Sequence, residues 1–246
     1  MARYAWRPRW GRLGIWAILG VISAWGQAPF GWALVSVFGF ALAILLFEKT
    51  KGTDAPAAKG WAFGFGYFLL TLQWLVSPFL VEPEQHGWMA PFALALMSGG
   101  LALFWAAAFW AAGRLGRASA LICALPLMEL ARAYLFTGFA WGMPAYGMVD
   151  SALGQVVTWV GSHGLNVFVL AIAWTIAQTI NAPGRLRLAF LGLAVVGTLA
   201  ILWPAPTPMA PRADAPVSRL QQPNAAPHEK RAPQLDHKDL ERGGAR

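Results

Sequence analysis

Charge is scarce in this chain of 246 residues: Asp, Glu, Lys and Arg together make up 12% of it, where soluble domains carry about a quarter. Cysteine is scarcer still. Cys123 is the only one and lies in an apolar block, which excludes an internal disulfide and a cysteine metal cluster. No Ser–His–Asp or Cys–His arrangement, P-loop or dinucleotide fingerprint is present. His86 and His163 stand alone, without the neighbours a metal site needs. No cofactor and no metal are therefore expected. What the chain has instead is apolar residues, 57% of the total.

These residues sit in blocks: Leu13–Ala28, Trp32–Phe47, Trp61–Val81, Trp88–Ala112, Ala118–Phe136, Gly164–Ile180 and Leu186–Trp203. A bilayer crossing takes about 20 apolar residues. The pattern predicts an all-α membrane protein, a bundle of about seven transmembrane helices. The first two blocks meet at Gln27-Ala28-Pro29-Phe30-Gly31, where proline and glycine predict a tight hairpin. Arg3, Arg7, Arg9 and Arg12 precede the first block as in a signal peptide, but no small-x-small cleavage pattern follows, so it reads as a retained helix.

The basic residues set an orientation. With the N-terminus cytoplasmic, the inner segments hold Arg3, Arg7, Arg9, Arg12, Lys49, Lys51, Lys59, Arg114, Arg117, Arg185 and Arg187. The outer loops near 29–31, 82–87 and 137–163 hold no Lys or Arg and carry Glu82, Glu84 and Asp150. This is the positive-inside distribution. It accounts for the formal charge of +8, so no nucleic-acid partner is expected. Residues 1–204 form the membrane domain. After Trp203, Pro204, Pro206, Pro208 and Pro211 make a stiff exit into a polar tail, 205–246, whose composition predicts disorder outside the membrane.

Glu129 and Arg132 are the notable polar residues, three apart on one face of the fifth block. An intramembrane charge costs about 2.5–3.5 kcal/mol on insertion scales, so the pair needs a reason. It is either a structural ion pair that fixes the bundle or a polar group lining a lipid-headgroup cavity. The following loop, Thr137 to Gly147, combines Phe139, Trp141 and Tyr146 with Gly138, Gly142 and Pro144. It reads either as part of an interfacial aromatic belt or as a shaped binding loop. Gly60 and Gly64 form a small-xxx-small helix face, with Gly66 as its continuation. Gln73 and Trp74 follow in the same block.

The stretch Pro126-Leu127-Met128-Glu129-Leu130-Ala131-Arg132-Ala133-Tyr134-Leu135-Phe136-Thr137-Gly138-Phe139-Ala140-Trp141 resembles the apolipoprotein N-acyltransferase family. That family shows Glu, an aromatic or similar residue, Leu-Arg, and then Phe-Thr-Gly-Phe-Pro-Trp. Tyr146, Gln155, Gly161, Gly164 and Leu165 continue the likeness. So do Ala62–Phe68 with Trp74, and the hairpin Ala28–Gly31. The resemblance spans roughly residues 13–205. Ala140 stands where the family has proline, and Leu130-Ala131 replaces the aromatic-leucine pair.

The resemblance implies a bacterial cytoplasmic (inner) membrane protein with a periplasmic tail, acting on phospholipid and lipoprotein substrates. In such enzymes an activated thiolate takes an acyl chain from a phospholipid as a thioester. The α-amine of a diacylglyceryl-cysteine then takes it over. The Glu–Lys–Cys catalytic set of the family lies in a nitrilase-like domain after the seventh helix. Here Val217–Asn224 and His228-Glu229-Lys230 resemble that domain's first strand and turn, and the tail has no cysteine. Glu229, Glu241, Lys230 and Lys238 match no catalytic position. The expectation is a truncated or frame-disrupted member, inactive alone, that binds lipid through Glu129, Arg132, Trp141, Tyr146, Gly138, Phe139 and Trp74. Two other readings are a scaffold for a separate nitrilase-like partner and a small-molecule transporter. The second lacks the inverted repeat and broken-helix pair of known transporters.

Overall fold

The structure, a computed structural model, describes residues 10–50, 55–135 and 138–206. The first nine residues, with Arg3, Arg7 and Arg9, and the tail from 207 onward lie outside the described residues, as do Phe136 and Thr137. Among the described residues eight α-helices run in order: α1 Trp10–Ala24, α2 Ala33–Lys49, α3 Pro56–Thr71, α4 Pro83–His86, α5 Ala90–Leu115, α6 Leu121–Tyr134, α7 Val157–Asn181 and α8 Gly184–Leu202. Among the described residues there is no β-strand, only an isolated bridge between Ser151 and Pro204.

Each apolar block overlaps one α-helix for much of its length, and local chemistry sets the ends. Pro56 opens α3, where its missing N–H is not needed. Gly116 closes α5 at φ 65°, and its N–H returns to the Ala112 and Gly113 carbonyls. The first block stops at Ala24, short of Ala28, because a turn from Trp25 to Gly31 takes over, with a cis Ala28–Pro29 bond. The third block is not one helix. After Thr71 the chain tightens into a 3-10 segment, Gln73–Leu80, bent 48° from α3 and containing Pro78. In α7 a break at Gly161 (φ 70°, ψ 175°) divides the helix.

Three stretches are long and apolar enough to cross a membrane among the described residues: Pro83–Leu115, Leu153–Asn181 and Gly184–Leu202. Counting α3 with its bent continuation makes a fourth. The expected seven exceed this because α1, α2 and α6 have only 15, 17 and 14 residues, or about 21–26 Å at 1.5 Å per residue.

Helix α3 lies between α1 and α5, its main neighbours. Phe63, Tyr67 and Phe68 of α3 and Trp105 of α5 are fully buried there. Close approach needs small residues. A Cβ on Gly60 or Gly64 would meet Phe109, Trp105 and Ala102 of α5. Gly66 does not continue that face: a Cβ there would strike the Ala17 carbonyl of α1. Six residues is 600° of helical rotation at 3.6 per turn, which carries Gly66 to another side. On the outside, α8 exposes Leu188, Leu193, Val196 and Leu199. In lipid such a surface costs nothing, and helices associate by packing and polar contacts instead.

The two ends of the bundle differ in charge. Lys49, Arg114, Arg117, Arg185 and Arg187 gather where α2, α5 and α7 finish and α6 and α8 begin. Glu48 at that end accepts bonds from Gln178 Nε2 and Asn181 Nδ2, both at 2.9 Å, joining α2 to α7. Glu82, Glu84 and Asp150 belong to the opposite end, where residues 138–156 form a loop. The loop is tied to the end of α8 by Ala152 N–H to the Trp203 carbonyl at 2.7 Å and Ala205 N–H to the Asp150 carbonyl at 3.0 Å.

Candidate functional site

The site is built from α6 outward. Glu129 and Arg132 are each only 1% exposed. Arg132 Nη2 donates to Glu129 Oε2, and the carboxylate's other oxygen accepts the indole N–H of Trp105 at 2.5 Å. Arg132 Nη1 donates to two loop carbonyls, those of Phe139 at 2.6 Å and Trp141 at 2.8 Å. Its guanidinium lies over the rings of Phe68 and Phe139, at 5.1 and 5.9 Å from their centroids. Each element is a charge-assisted or cation–π contact that gains strength away from water. Together they offset much of the cost of burying the charge, with Arg132 Nε the one buried donor of the guanidinium that has no hydrogen-bond partner.

The loop can reach Arg132 because the chain doubles back after α6. Gly138 has φ 75°, and a Cβ there would meet the Ala133 carbonyl oxygen, so the turn requires glycine. Phe139 N–H then bonds the Arg132 carbonyl at 3.1 Å. Gly142, also at φ 75°, passes against Thr71 of α3. Further along, Gln27 Nε2 donates to the Tyr67 hydroxyl at 2.9 Å and the Met143 carbonyl at 3.0 Å. Asn166 Oδ1 accepts Ala145 N–H at 2.7 Å. The loop backbone is thus held from beneath by the first hairpin, α6 and α7.

What the loop presents outward is aromatic. Trp141 is 61% exposed and its ring lies 5.3 Å from that of Trp74, itself exposed, in the 3-10 segment after α3. Tyr146 is exposed at the start of the next turn, while Phe139 is half-buried over the guanidinium. Partial burial pushes the Tyr146 phenol above its ordinary range, with Arg132 opposing the shift. It is therefore a neutral hydroxyl at any physiological pH.

The structure thus brings together all seven residues singled out in the sequence, in two layers. Glu129, Arg132 and Gly138 lie below and shape the loop, Trp74, Trp141 and Tyr146 lie at the surface, and half-buried Phe139 stands between the two over the guanidinium. The pair itself faces carbonyls and an indole, not an open cavity. Gln27, Tyr67, Trp105 and Asn166 were missed as site residues. Their signal was a polar handle inside an apolar block, which in lipid must find a partner.

Fold and site define a helical membrane protein in which a buried ion pair fixes an aromatic loop at one end of the bundle. Residues 19–175 match the family model described as apolipoprotein N-acyltransferase N-terminal domain. The chain belongs to the apolipoprotein N-acyltransferase family. It is 35% identical over 208 residues to the apolipoprotein N-acyltransferase of Caulobacter vibrioides, covering 81% of this chain and 38% of that protein. It is 33% identical over 243 residues to that of Rhizobium rhizogenes (87% and 44%), and 34% over 200 residues to that of Brucella suis (74% and 36%). The chain spans about two fifths of the length of these curated relatives.

Proposed function

We propose that this chain is the lipid-holding membrane part of an apolipoprotein N-acyltransferase of the bacterial inner membrane, the enzyme that moves an acyl chain from a phospholipid to the N-terminus of a lipoprotein. The observation that carries this reading is the buried Glu129–Arg132 pair holding the loop that displays Trp141, beside Trp74, and exposes Tyr146 further along. A buried charge used to fix two exposed-loop carbonyls favours a surface of defined shape over a generic belt. In this reading Trp74, Phe139, Trp141 and Tyr146 line the lipid site, and Glu129, Arg132 and Gly138 position them.

About seven spans, with the N-terminus cytoplasmic and the loop end outward, agree with the clustering of basic residues at one end. Residues 1–204 are then the membrane domain and 205–246 an extracytoplasmic segment. The thioester step needs a nucleophile near that outer end. Cys123, the one thiol, is the third residue of α6, nine residues and about 13 Å along the axis from Arg132 toward the basic end. These 246 residues therefore bind lipid but do not acylate alone, and a nitrilase-like segment, in the same chain or a separate partner, supplies the thiol.

The test is expression in cells depleted of their own N-acyltransferase, with mass spectrometry of a lipoprotein's N-terminal peptide. No acylation is expected from this chain alone, and acylation is expected when a relative's nitrilase-like segment is fused after Arg246. The fusion carrying Trp141→Ala and Tyr146→Ala should lose most of that activity. Acylation by the chain alone, or an undiminished double variant, contradicts the proposal.

A further inference from the structure

The end of the bundle opposite the aromatic loop carries a cavity of about 240 Å³ between α2, α5 and α7. That is room for roughly eight waters at ~30 Å³ each, and less than the ~300–1,000 Å³ of a drug-sized site. It is the size of a headgroup. Phe47 and Trp174 line its apolar part, and Arg117 and Ser119 line it from the turn that starts α6. Glu48 and Gln178 also line it, with the Glu48 carboxylate held in place by the amides of Gln178 and Asn181.

Among the lining residues Arg117 is the one cation and Glu48 the one anion, and together they select the ligand. A purely anionic group gains from Arg117 but meets Glu48, and a purely cationic group meets the reverse. A zwitterion of matching length satisfies both: its phosphate oxygens take the guanidinium and the Ser119 hydroxyl, and its ammonium takes the Glu48 carboxylate. The cavity lies where helices end, the depth at which headgroups of the neighbouring lipid reside, and the part-buried Trp174 indole on its wall is placed to meet the first carbons of the lipid, while Phe47 belongs to the core beneath. We infer that this cavity is a second lipid site, binding the aminoethyl-phosphate headgroup of a zwitterionic phospholipid at the basic end of the bundle. The loop and its ion pair take no part in it, so it stands independently of the acyl-transfer reading.

Native mass spectrometry of the detergent-purified chain tests this, with short-chain phosphatidylethanolamine, short-chain phosphatidylglycerol and water-soluble glycerophosphoethanolamine as probes. The wild type should bind phosphatidylethanolamine in preference to phosphatidylglycerol. Arg117→Gln should weaken both about fivefold. Glu48→Gln, which can still accept the two amide bonds, should abolish the preference while keeping phosphatidylglycerol binding. Unfolding midpoints check that each variant folds; if Glu48→Gln does not, Ser119→Ala, expected to weaken both lipids, replaces it. Equal binding of the two lipids by the wild type, or a preference untouched by these variants, overturns the assignment. Equally effective binding of glycerophosphoethanolamine makes the occupant a soluble zwitterion and overturns its lipid source.

Discussion

Arg132 is almost completely buried, yet its guanidinium holds the backbone of Trp141, an exposed tryptophan, through a 2.8 Å bond from Nη1 to the Trp141 carbonyl. The same nitrogen holds the Phe139 carbonyl, and Glu129 occupies the other arm of the fork. A lysine could not do this, because one ammonium lacks the planar spread that reaches two carbonyls and a carboxylate at once.

Breaking the pair should therefore cost more than deleting it. Arg132→Ala leaves a buried carboxylate and should destabilise the protein by about 3–5 kcal/mol. Replacing both partners, as Glu129→Leu with Arg132→Met, should cost less than the two single changes summed. Thermal unfolding in detergent measures both. Additive losses would show that the pair is not coupled.

Gln27 offers a gentler way to loosen the loop. Gln27→Leu removes both of its bonds, to Tyr67 and Met143, at about 1–3 kcal/mol for the polar groups left unsatisfied. Hydrogen exchange of the amides around residues 143–149 should accelerate while those of α5 stay protected. Unchanged exchange in the loop would exclude Gln27 as its anchor.

Helix packing gives a third comparison. Gly66→Ala pushes a methyl into the Ala17 backbone of α1 and should destabilise by about 1–3 kcal/mol. Gly192→Ala in α8 meets nothing within 4 Å and should change stability by less than about 0.5 kcal/mol. Equal effects at the two positions would contradict the close α1–α3 approach.

Orientation is open to labelling. In a Cys123→Ala background, Glu84→Cys at the acidic end should react with a membrane-impermeant maleimide added to whole spheroplasts. Arg185→Cys should react only after permeabilisation. Both residues are exposed, so the reverse pattern would invert the topology.

Much of this was legible in the sequence, for reasons that can be named. A bilayer demands long apolar runs, so the helices showed themselves as blocks, and Pro29 with Gly31 marked the first turn by local chemistry. The Glu129–Arg132 pairing followed from their spacing of three. What stayed hidden depends on distant contacts. The 48° bend after Thr71 was invisible because Gln73–Leu80 is as apolar as the helix before it. That Trp105 would turn inward to Glu129 while Trp110 on the same helix faces outward is decided by α3 and α6 packing. No local pattern states it. The same holds for whether the ion pair opens to a cavity or closes under a loop.

The central claim is that the fixed loop forms a phospholipid site. Photo-cross-linking of the purified chain with a phospholipid carrying a photoreactive acyl chain, followed by peptide mapping, tests it most directly. Adducts should concentrate on the peptides holding Trp74, Trp141 and Tyr146 and fall sharply in the Trp141→Ala, Tyr146→Ala double variant. Adducts spread evenly over the lipid-facing helices, α8 included, and unchanged in that variant would contradict the account.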